Sequence, residues 1–284
     1  MLVRLNHSHI RIGSFQRLKT LGETDALKRL VAYSLRHYFG EDDSGDAPLR
    51  LLRHVVAGTA RMAAGFMAAG FVHGVLNSDN INITGESFDY GPWRFAPRFE
   101  AGFTAAYFDG NGLYAFGRQA EAIHWDVAQL AISLSDLASE EDLIEALGGF
   151  GPAYFAALVP AMLWRLGVKS AAEEADRRLV AALELGLSES RVGIDRLFFD
   201  WRGGECRNSA AYSDAAFDAF KQAIAAHSGQ GRGNNPYWAG EDPCSMLIEE
   251  VEAIWAPIAE SDDWSSLYAK VAAIRQTGEA LRSV

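Results

Sequence analysis

Residues 73–92 read His-Gly-Val-Leu-Asn-Ser-Asp-Asn-Ile-Asn-Ile-Thr-Gly-Glu-Ser-Phe-Asp-Tyr-Gly-Pro, a polar stretch in a chain otherwise rich in helical patterns. The order of residue types predicts a loop that presents Asp79 and Asn80, then a short β-hairpin, then a closing turn at Asp89. Mg²⁺ prefers oxygen ligands, commonly one or two protein groups together with nucleotide phosphates. Asn80 and Asp89 are therefore candidate metal ligands, and Asp79 is a candidate to hold or deprotonate an incoming hydroxyl.

The same residues also have a purely structural explanation. Asp-Asn pairs occur in many loops because their side chains form turns with the neighbouring backbone. In an ordinary protein kinase the catalytic loop reads H-R-D-x-x-x-x-N and the metal-binding turn reads D-F-G. Here no Arg precedes Asp79, Asn80 follows it directly, and Tyr90 stands in place of the Phe. From the residues alone, a phosphoryl-transfer type of site and a structural loop both stay open.

Amphipathic helical patterns flank this polar stretch on both sides. The periodicity predicts helices over 24–38, 48–69 and 121–138, several more over 141–225, and two over 244–282. Gly70 is expected to end the second of these helices. The predicted fold class is therefore mainly α with a small β insert, and the insert is where a site is expected.

The composition excludes several classes of protein. Hydrophobic residues make up 49% and charged residues 22% of the 284 residues, which is typical of a globular chain rather than a disordered one. The net charge of −11 argues against an ordinary nucleic-acid-binding protein. No long apolar run or signal peptide is evident, so we expect a cytoplasmic protein without membrane or nucleic-acid partners. Cys206 and Cys244 fit a reducing compartment, with a single bridge between them left open.

Several segments together resemble the selenoprotein O family. These segments are His-Gly-Val-Leu-Asn-Ser-Asp-Asn at 73–80, Phe-Asp-Tyr-Gly-Pro at 88–92 and Asp-Gly-Asn-Gly-Leu-Tyr-Ala-Phe-Gly-Arg-Gln at 109–119. The opening Arg-Leu-Asn-His-Ser-His-Ile-Arg-Ile-Gly-Ser-Phe-Gln at 4–16 is similar to that family's S-H-I-R-x-G-T-F-Q segment. The resemblance covers about residues 4–135 and weakens beyond 140.

The resemblance implies a protein-kinase-like fold that binds ATP in a flipped orientation and transfers AMP to Ser, Thr or Tyr hydroxyls of protein substrates. Carried over to the matching positions, Asp79 is the catalytic base. Asn80 and Asp89 bind the metal, Mg²⁺ or Mn²⁺. Arg4 and Arg11 contact the terminal phosphate of the nucleotide. The planar fork of an arginine suits phosphate oxygens, so these residue types agree with the implied role.

The chain begins where the large lobe of that family begins. We therefore expect a single kinase-like large lobe over 1–284, with a nucleotide and metal half at 1–140 and a helical half at 141–284. The N-terminal small lobe, which supplies a Gly-rich loop, a Lys and a Glu, is expected to be absent from this incomplete or truncated form. Poor catalysis by this chain alone, and self-association or a partner that carries the missing lobe, follow as expectations. The alternative is a catalytically inactive, kinase-like binding or scaffold protein.

Two further residues near the polar stretch have alternative roles. His73 is expected to brace the loop by a hydrogen bond rather than to transfer a proton. Asp126 lies near the start of the predicted helix over 121–138. In kinase-like folds a buried acid here accepts amide hydrogen bonds from the catalytic loop, whereas an exposed acid would favour the positive end of the helix. Both interpretations of Asp126 stay open.

Overall fold

A computed structural model describes residues 5–282, so Arg4 lies outside the described residues. The chain is mainly helical with one very small sheet, which confirms the predicted fold class at that level. The helices are α1 (Ile12–Thr20), α2 (Thr24–Ser34), α3 (Ala47–Ala69), α4 (Gln119–Ser133), α5 (Glu140–Gly148), α6 (Phe150–Leu166), α7 (Glu173–Glu189), α8 (Ile194–Asp200), α9 (Asp218–Ile224), α10 (Ile248–Ser261) and α11 (Ser265–Arg282). Strands β1 (Phe71–Val72) and β2 (Arg94–Phe95) pair as a two-stranded sheet.

The chain divides into two compact units. Among the described residues, unit 1 comprises 5–67, 72–93 and 102–158, and unit 2 comprises 68–71, 94–101 and 159–282. Unit 1 contains the whole polar stretch that the sequence analysis singled out. The assignment of the chain to a single large lobe with two halves stays a prediction.

The core of unit 1 forms where α1, α2, α3 and α4 bury their apolar faces. Ile12 and Phe15 of α1 are completely buried, as are Leu52 of α3 and Val127 of α4. Each such side chain contributes about 1.5–3 kcal/mol relative to the exposed state. Ile81, from the polar stretch, is buried in the same core. This burial fixes the stretch against the helices and so positions the residues beside it.

Unit 2 contains a smaller aromatic core. Phe199 and Trp238 are buried there, with ring centroids 5.7 Å apart, and Tyr237 packs against both. Close packing also explains Gly186 in α7, because a Cβ at that position would lie 2.8 Å from the ring of Phe217. The final helices α10 and α11 confirm the prediction of two helices over 244–282.

Several predicted elements differ from the observed ones. The helix predicted over 24–38 leaves the α-helical conformation at Ser34 and continues as a π-helical turn over Leu35–Phe39. The helix predicted over 121–138 runs instead over Gln119–Ser133. In the predicted hairpin, only one antiparallel bridge forms, between Ile81 and Ser87. Gly70 follows the last residue of α3 with φ +68, as expected for a residue that ends a helix.

Within residues 5–282, one stretch has the length and hydropathy of a membrane-spanning helix. It covers residues 140–166, and 28% of its most apolar window is buried. This stretch is an exception to the expectation that the chain has no long apolar run. Core helices of many globular proteins meet the same criteria, so length and composition here are weak evidence for a membrane span.

Candidate functional site

The two ends of the hairpin that begins at Asn80 lie beside each other. The backbone N–H of Phe88 donates to the carbonyl of Asn80 at 2.8 Å. The antiparallel bridge between Ile81 and Ser87 lies next to this bond. Because Asp89 follows Phe88 directly, Asn80 and Asp89 lie at the same end of the hairpin.

The side chain of Asn80 is held in one orientation. Its Nδ2 donates to the carbonyl of Val75 at 2.9 Å, and the residue is 94% buried, with 6% of its surface exposed. Among the described residues nothing donates to its Oδ1. One N–H of the amide is used by the bond to Val75, and the amide oxygen is available to a ligand.

The backbone of Asp89 has a conformation that is rare for residues other than glycine. Its φ is 55°, in the left-handed region. The N–H of Gly91 donates to the carbonyl of Asp89 at 2.8 Å and closes a tight turn around it. Such conformations cost about 1–3 kcal/mol and cluster at functional sites. The turn fixes the backbone from which the exposed side chain of Asp89 projects.

The first turn of α1 lies directly against the loop that carries Asp79. The N–H of Ile12 donates to the carbonyl of Ile81, and the N–H of Gly13 donates to the carbonyl of Ser78, each at 3.0 Å. The carboxylate of Asp79 occupies the space that a Cβ on Gly13 would need. The sequence analysis did not identify Gly13 as a site residue. Gly13 could have been identified from its position two residues after Arg11, a predicted site residue.

Arg11 lies beside the end of the hairpin. Its backbone forms an antiparallel bridge with Asn82, and its guanidinium carbon is 5.2 Å from the centroid of the Phe88 ring. The Arg11 side chain is exposed and Phe88 immediately precedes Asp89, so a cation stands close to the predicted metal ligand. The structure thus brings together four of the five predicted site residues in unit 1, namely Arg11, Asp79, Asn80 and Asp89. Arg4 lies outside the described residues.

His73 braces the two ends of the polar stretch. The N–H of Val75 donates to Nδ1 of His73 at 3.3 Å, so the proton of the neutral ring is on Nε2. Nε2 then donates to the carbonyl of Phe88 at 2.6 Å. The His73 backbone N–H also donates to Oε1 of Gln119, at the start of α4, at 3.0 Å. These bonds confirm the predicted bracing role and tie the peptide before Asp89 to the loop that carries Asp79.

Asp126 is completely buried in the middle of α4, so the interpretation as an exposed acid near the helix N-terminus is wrong. Within residues 5–282, neither of its carboxylate oxygens has a hydrogen-bond partner, so the amide hydrogen bonds of the other interpretation are not observed either. Burial raises the pKa of Asp126 to about 8. The carboxyl group is therefore mostly protonated at neutral pH. Asp126 lies seven residues after Gln119, which places both on the same face of α4.

The residue types at the hairpin end suit a hard cation. Residues 5–282 contain no group of three or more His, Cys, Asp or Glu side chains that could hold a metal ion. Asn80 and Asp89 together offer one amide oxygen and one carboxylate, which is the small protein ligand set that Mg²⁺ uses when phosphates supply other ligands. The residue types of Asn80 and Asp89 are therefore compatible with a hard cation whose other ligands come from elsewhere. Both cysteines are free thiols.

Comparison with known proteins gives a consistent result. The sequence model of the family described as Protein adenylyltransferase SelO matches residues 1–275. Relatives named Protein nucleotidyltransferase YdiU include one from Trichormus variabilis, 32% identical over 98% of this chain and 62% of the relative. Another, from Gloeobacter violaceus, is 33% identical over 97% of this chain and 61% of the relative. The chain therefore spans about three fifths of the length of these relatives.

Proposed function

Because this chain belongs to the SelO family of protein adenylyltransferases, we propose that it transfers AMP from ATP to Ser, Thr or Tyr hydroxyls of proteins. One observation carries the proposal. The hairpin places the Oδ1 atom of Asn80, which accepts no hydrogen bond from the described residues, at the same end as the strained Asp89. An arrangement of loop, hairpin and Asp turn around a nucleotide is also the organisation of kinase-like large lobes, which is the fold we propose for this part of the chain.

Asn80 and Asp89 are the residues that would hold Mg²⁺ or Mn²⁺. The bound cation would supply neutralisation of the negative charge on the phosphates. The hydrogen bond to Val75 fixes the amide of Asn80 and leaves its oxygen available as a ligand, and within residues 5–282 the carboxylate of Asp89 forms no ion pair that would compete with a cation. These features support a site that is complete only when the phosphates are present.

The proposed reaction is an in-line displacement at the α-phosphorus of ATP. The oxygen of the acceptor hydroxyl forms a bond to that phosphorus, and the bond from the α-phosphorus to the oxygen that bridges it to the β-phosphorus breaks. Pyrophosphate leaves with the electron pair of that bond. Asp79, exposed beside Gly13, accepts the proton of the hydroxyl. Its exposure supports this role because an acceptor on another protein has to reach it.

Arg11 is proposed to contact the terminal phosphate. Its guanidinium lies over the Phe88 ring, and the arginine is exposed, so its donors remain accessible to an anion. We propose the same role for Arg4. The alternative, a binding or scaffold protein without turnover, has no observation in its favour.

The test uses ATP labelled on either the α-phosphate or the γ-phosphate, with Mg²⁺ and a mixture of denatured proteins as acceptors. AMP transfer labels protein only from α-labelled ATP, whereas phosphoryl transfer labels it only from γ-labelled ATP. Because poor catalysis is expected of this chain alone, weak α-labelling is expected from the unmodified protein, and Asp89→Ala is expected to abolish it. Asp43→Ala, which removes an exposed loop acid of the same unit, is the matched control and is expected to leave labelling unchanged. Labelling from γ-labelled ATP, or α-labelling that survives Asp89→Ala, would contradict the proposal.

A further inference from the structure

Two neighbouring aromatic side chains project into solvent from the segment that follows the Asp89 turn. Tyr107 is 97% exposed and Phe108 is 59% exposed. Their rings are nearly perpendicular, at 82°, with centroids 5.3 Å apart. Leu113, from the same segment, is 48% exposed. Exposed aromatic side chains grouped in this way are typical of surfaces that bind another macromolecule.

The loop that carries this pair is well ordered by its own hydrogen bonds. The carboxylate of Asp109 accepts from the N–H of Leu113 at 2.7 Å and from the N–H of Tyr114 at 2.8 Å. The N–H of Phe116 donates to the carbonyl of Phe103 at 2.9 Å and closes the base of the loop. The backbone of this loop is therefore ordered before a partner binds, which lowers the entropic cost of binding.

The loop is anchored to the catalytic loop. Ala105 and Ala106 are buried, and a Cβ built on Gly74 would lie 3.1 Å from the Cβ of Ala105 and 3.4 Å from the N atom of Ala106. Gly74 lies in the same loop as Asp79, five residues before it. The aromatic pair therefore begins one residue beyond a direct contact with the loop that carries the proposed base.

We propose that Tyr107 and Phe108 form a docking surface for the acceptor polypeptide and hold an aliphatic or aromatic side chain near the hydroxyl that is modified. This inference rests on the proposed function. The acceptor is the occupant that the position favours, because the surface is continuous with the loop that carries Asp79 and lies in the same unit. Tyrosine and phenylalanine provide a large contact area with only two side-chain torsions each.

The test uses synthetic peptides with one central Ser, identical except for one flanking position that carries Leu, Phe, Ser or Asp. Peptide binding is measured by fluorescence anisotropy, and AMP transfer is measured separately with α-labelled ATP. The flanking position is varied along the peptide from one set to the next. In one of these sets, the peptides with Leu or Phe at that position are expected to bind about tenfold more tightly than those with Ser or Asp. Tyr107→Ser combined with Phe108→Ser is expected to remove this preference and leave the affinity for ATP unchanged.

The chain offers a control in a second Tyr-Phe pair, of which the phenylalanine is exposed. Tyr154 and Phe155 on α6 are also edge to face, with centroids 5.3 Å apart, and Phe155 is 53% exposed. Phe155→Ser is expected to keep the peptide preference. Tyr107→Ser alone tests the same idea without risk to folding, because that side chain is almost fully exposed.

The possible results separate the two proposals. Three results overturn the docking surface. The first is peptide binding without a preference for Leu or Phe, and the second is a preference that survives the double substitution. The third is a loss of affinity for ATP in the double variant as large as its loss of affinity for the peptide. AMP transfer to peptides without any such preference also overturns it but leaves the proposed function intact. A preference for apolar peptides without any transfer of AMP overturns the proposed function, and with it the assignment of the acceptor polypeptide as the occupant of this surface.

Discussion

The carboxylate of Asp79 lies against Gly13 so closely that a Cβ on residue 13 would overlap its Oδ1 atom. Gly13 is the second residue of α1, and its N–H donates to the carbonyl of Ser78. Alanine is favoured over glycine by up to about 1 kcal/mol in a helix interior, and a position in the first turn gains part of this. Glycine at this position is therefore explained by the space that Asp79 occupies, not by the helix.

Gly13→Ala is expected to reduce AMP transfer about tenfold to a hundredfold by displacing the Asp79 carboxylate. The free energy of unfolding is expected to stay the same or rise by up to about 1 kcal/mol, since the colliding atom is the end of a flexible side chain and alanine favours the helix. The measurements are initial rates with α-labelled ATP and urea unfolding of the same preparation.

Gly65→Ala is the matched control for this prediction. Gly65 lies within α3, and a Cβ there would have no neighbour within 4 Å. It is expected to gain the same helix stabilisation and keep full activity. If Gly13→Ala retains full activity, or if Gly65→Ala loses as much as Gly13→Ala, the proposed position of Asp79 in the reaction is wrong.

The residues of the candidate site were predictable because most of them are close in sequence. Asp79, Asn80 and Asp89 lie within one stretch whose residue types indicate a loop, a hairpin and a turn. The pairing of Asn80 with Phe88 follows from that order alone. Residue patterns did not predict that Gly13 contacts Asp79, because this contact depends on packing between segments more than sixty positions apart.

The elements that the sequence analysis missed are short or lack end signals. Helix α1 has nine residues, begins after Arg11 without a side-chain cap, and is held by backbone bonds to the hairpin. Strands β1 and β2 have two residues each, which is too short for an alternating pattern to be detected. Tertiary contacts rather than local preference create these elements.

His73→Leu is expected to raise, about tenfold, the Mg²⁺ concentration that half-maximal nucleotide binding requires. The substitution removes the donor to the carbonyl of Phe88 and the acceptor for the N–H of Val75, so the turn at Asp89 loses its support. Binding of a fluorescent ATP analogue is measured across a Mg²⁺ titration. His73→Gln keeps a donor in the side chain and is expected to recover part of the affinity. Equal Mg²⁺ dependence in all three proteins would show that His73 does not position Asp89.

Arg202 joins the ends of two helices within unit 2. It is 1% exposed, its Nη1 donates to the carbonyls of Trp164 and Arg165 at the end of α6, and its Nη2 donates to the carbonyl of Leu281 at the end of α11. Burial lowers the pKa of Arg202. The negative ends of the two helix dipoles compensate its charge.

Arg202→Met is expected to reduce the free energy of unfolding by about 2–4 kcal/mol, because it leaves buried carbonyls without donors. Arg191→Met removes an exposed arginine of the same unit and is expected to change stability by less than about 0.5 kcal/mol. Urea unfolding monitored by tryptophan fluorescence measures both. Similar stabilities of the two variants would mean that the helix ends do not depend on Arg202.

Asp126 gives the protein a pH dependence with a defined sign. In the unfolded chain its pKa is near the ordinary value of 3.8, whereas burial in α4 raises the pKa to about 8. Between these values the folded state holds a proton that the unfolded state has lost. The free energy of unfolding is therefore expected to fall as pH rises from about 4 to 8, by up to about 1.4 kcal/mol per pH unit, and to level off above that range.

Asp126→Asn keeps the shape of the side chain and cannot ionise, so it is expected to remove this contribution. Urea unfolding of both proteins at several pH values between 5 and 9 isolates it, because the other titrating groups are common to both and cancel in the difference. The variant is expected to gain stability over the wild type as pH rises, until the gain becomes constant above about pH 8. If the stability difference does not change with pH, the Asp126 carboxylate must be ionised throughout and must have found donors in the folded protein, as an acid that supports the catalytic loop would.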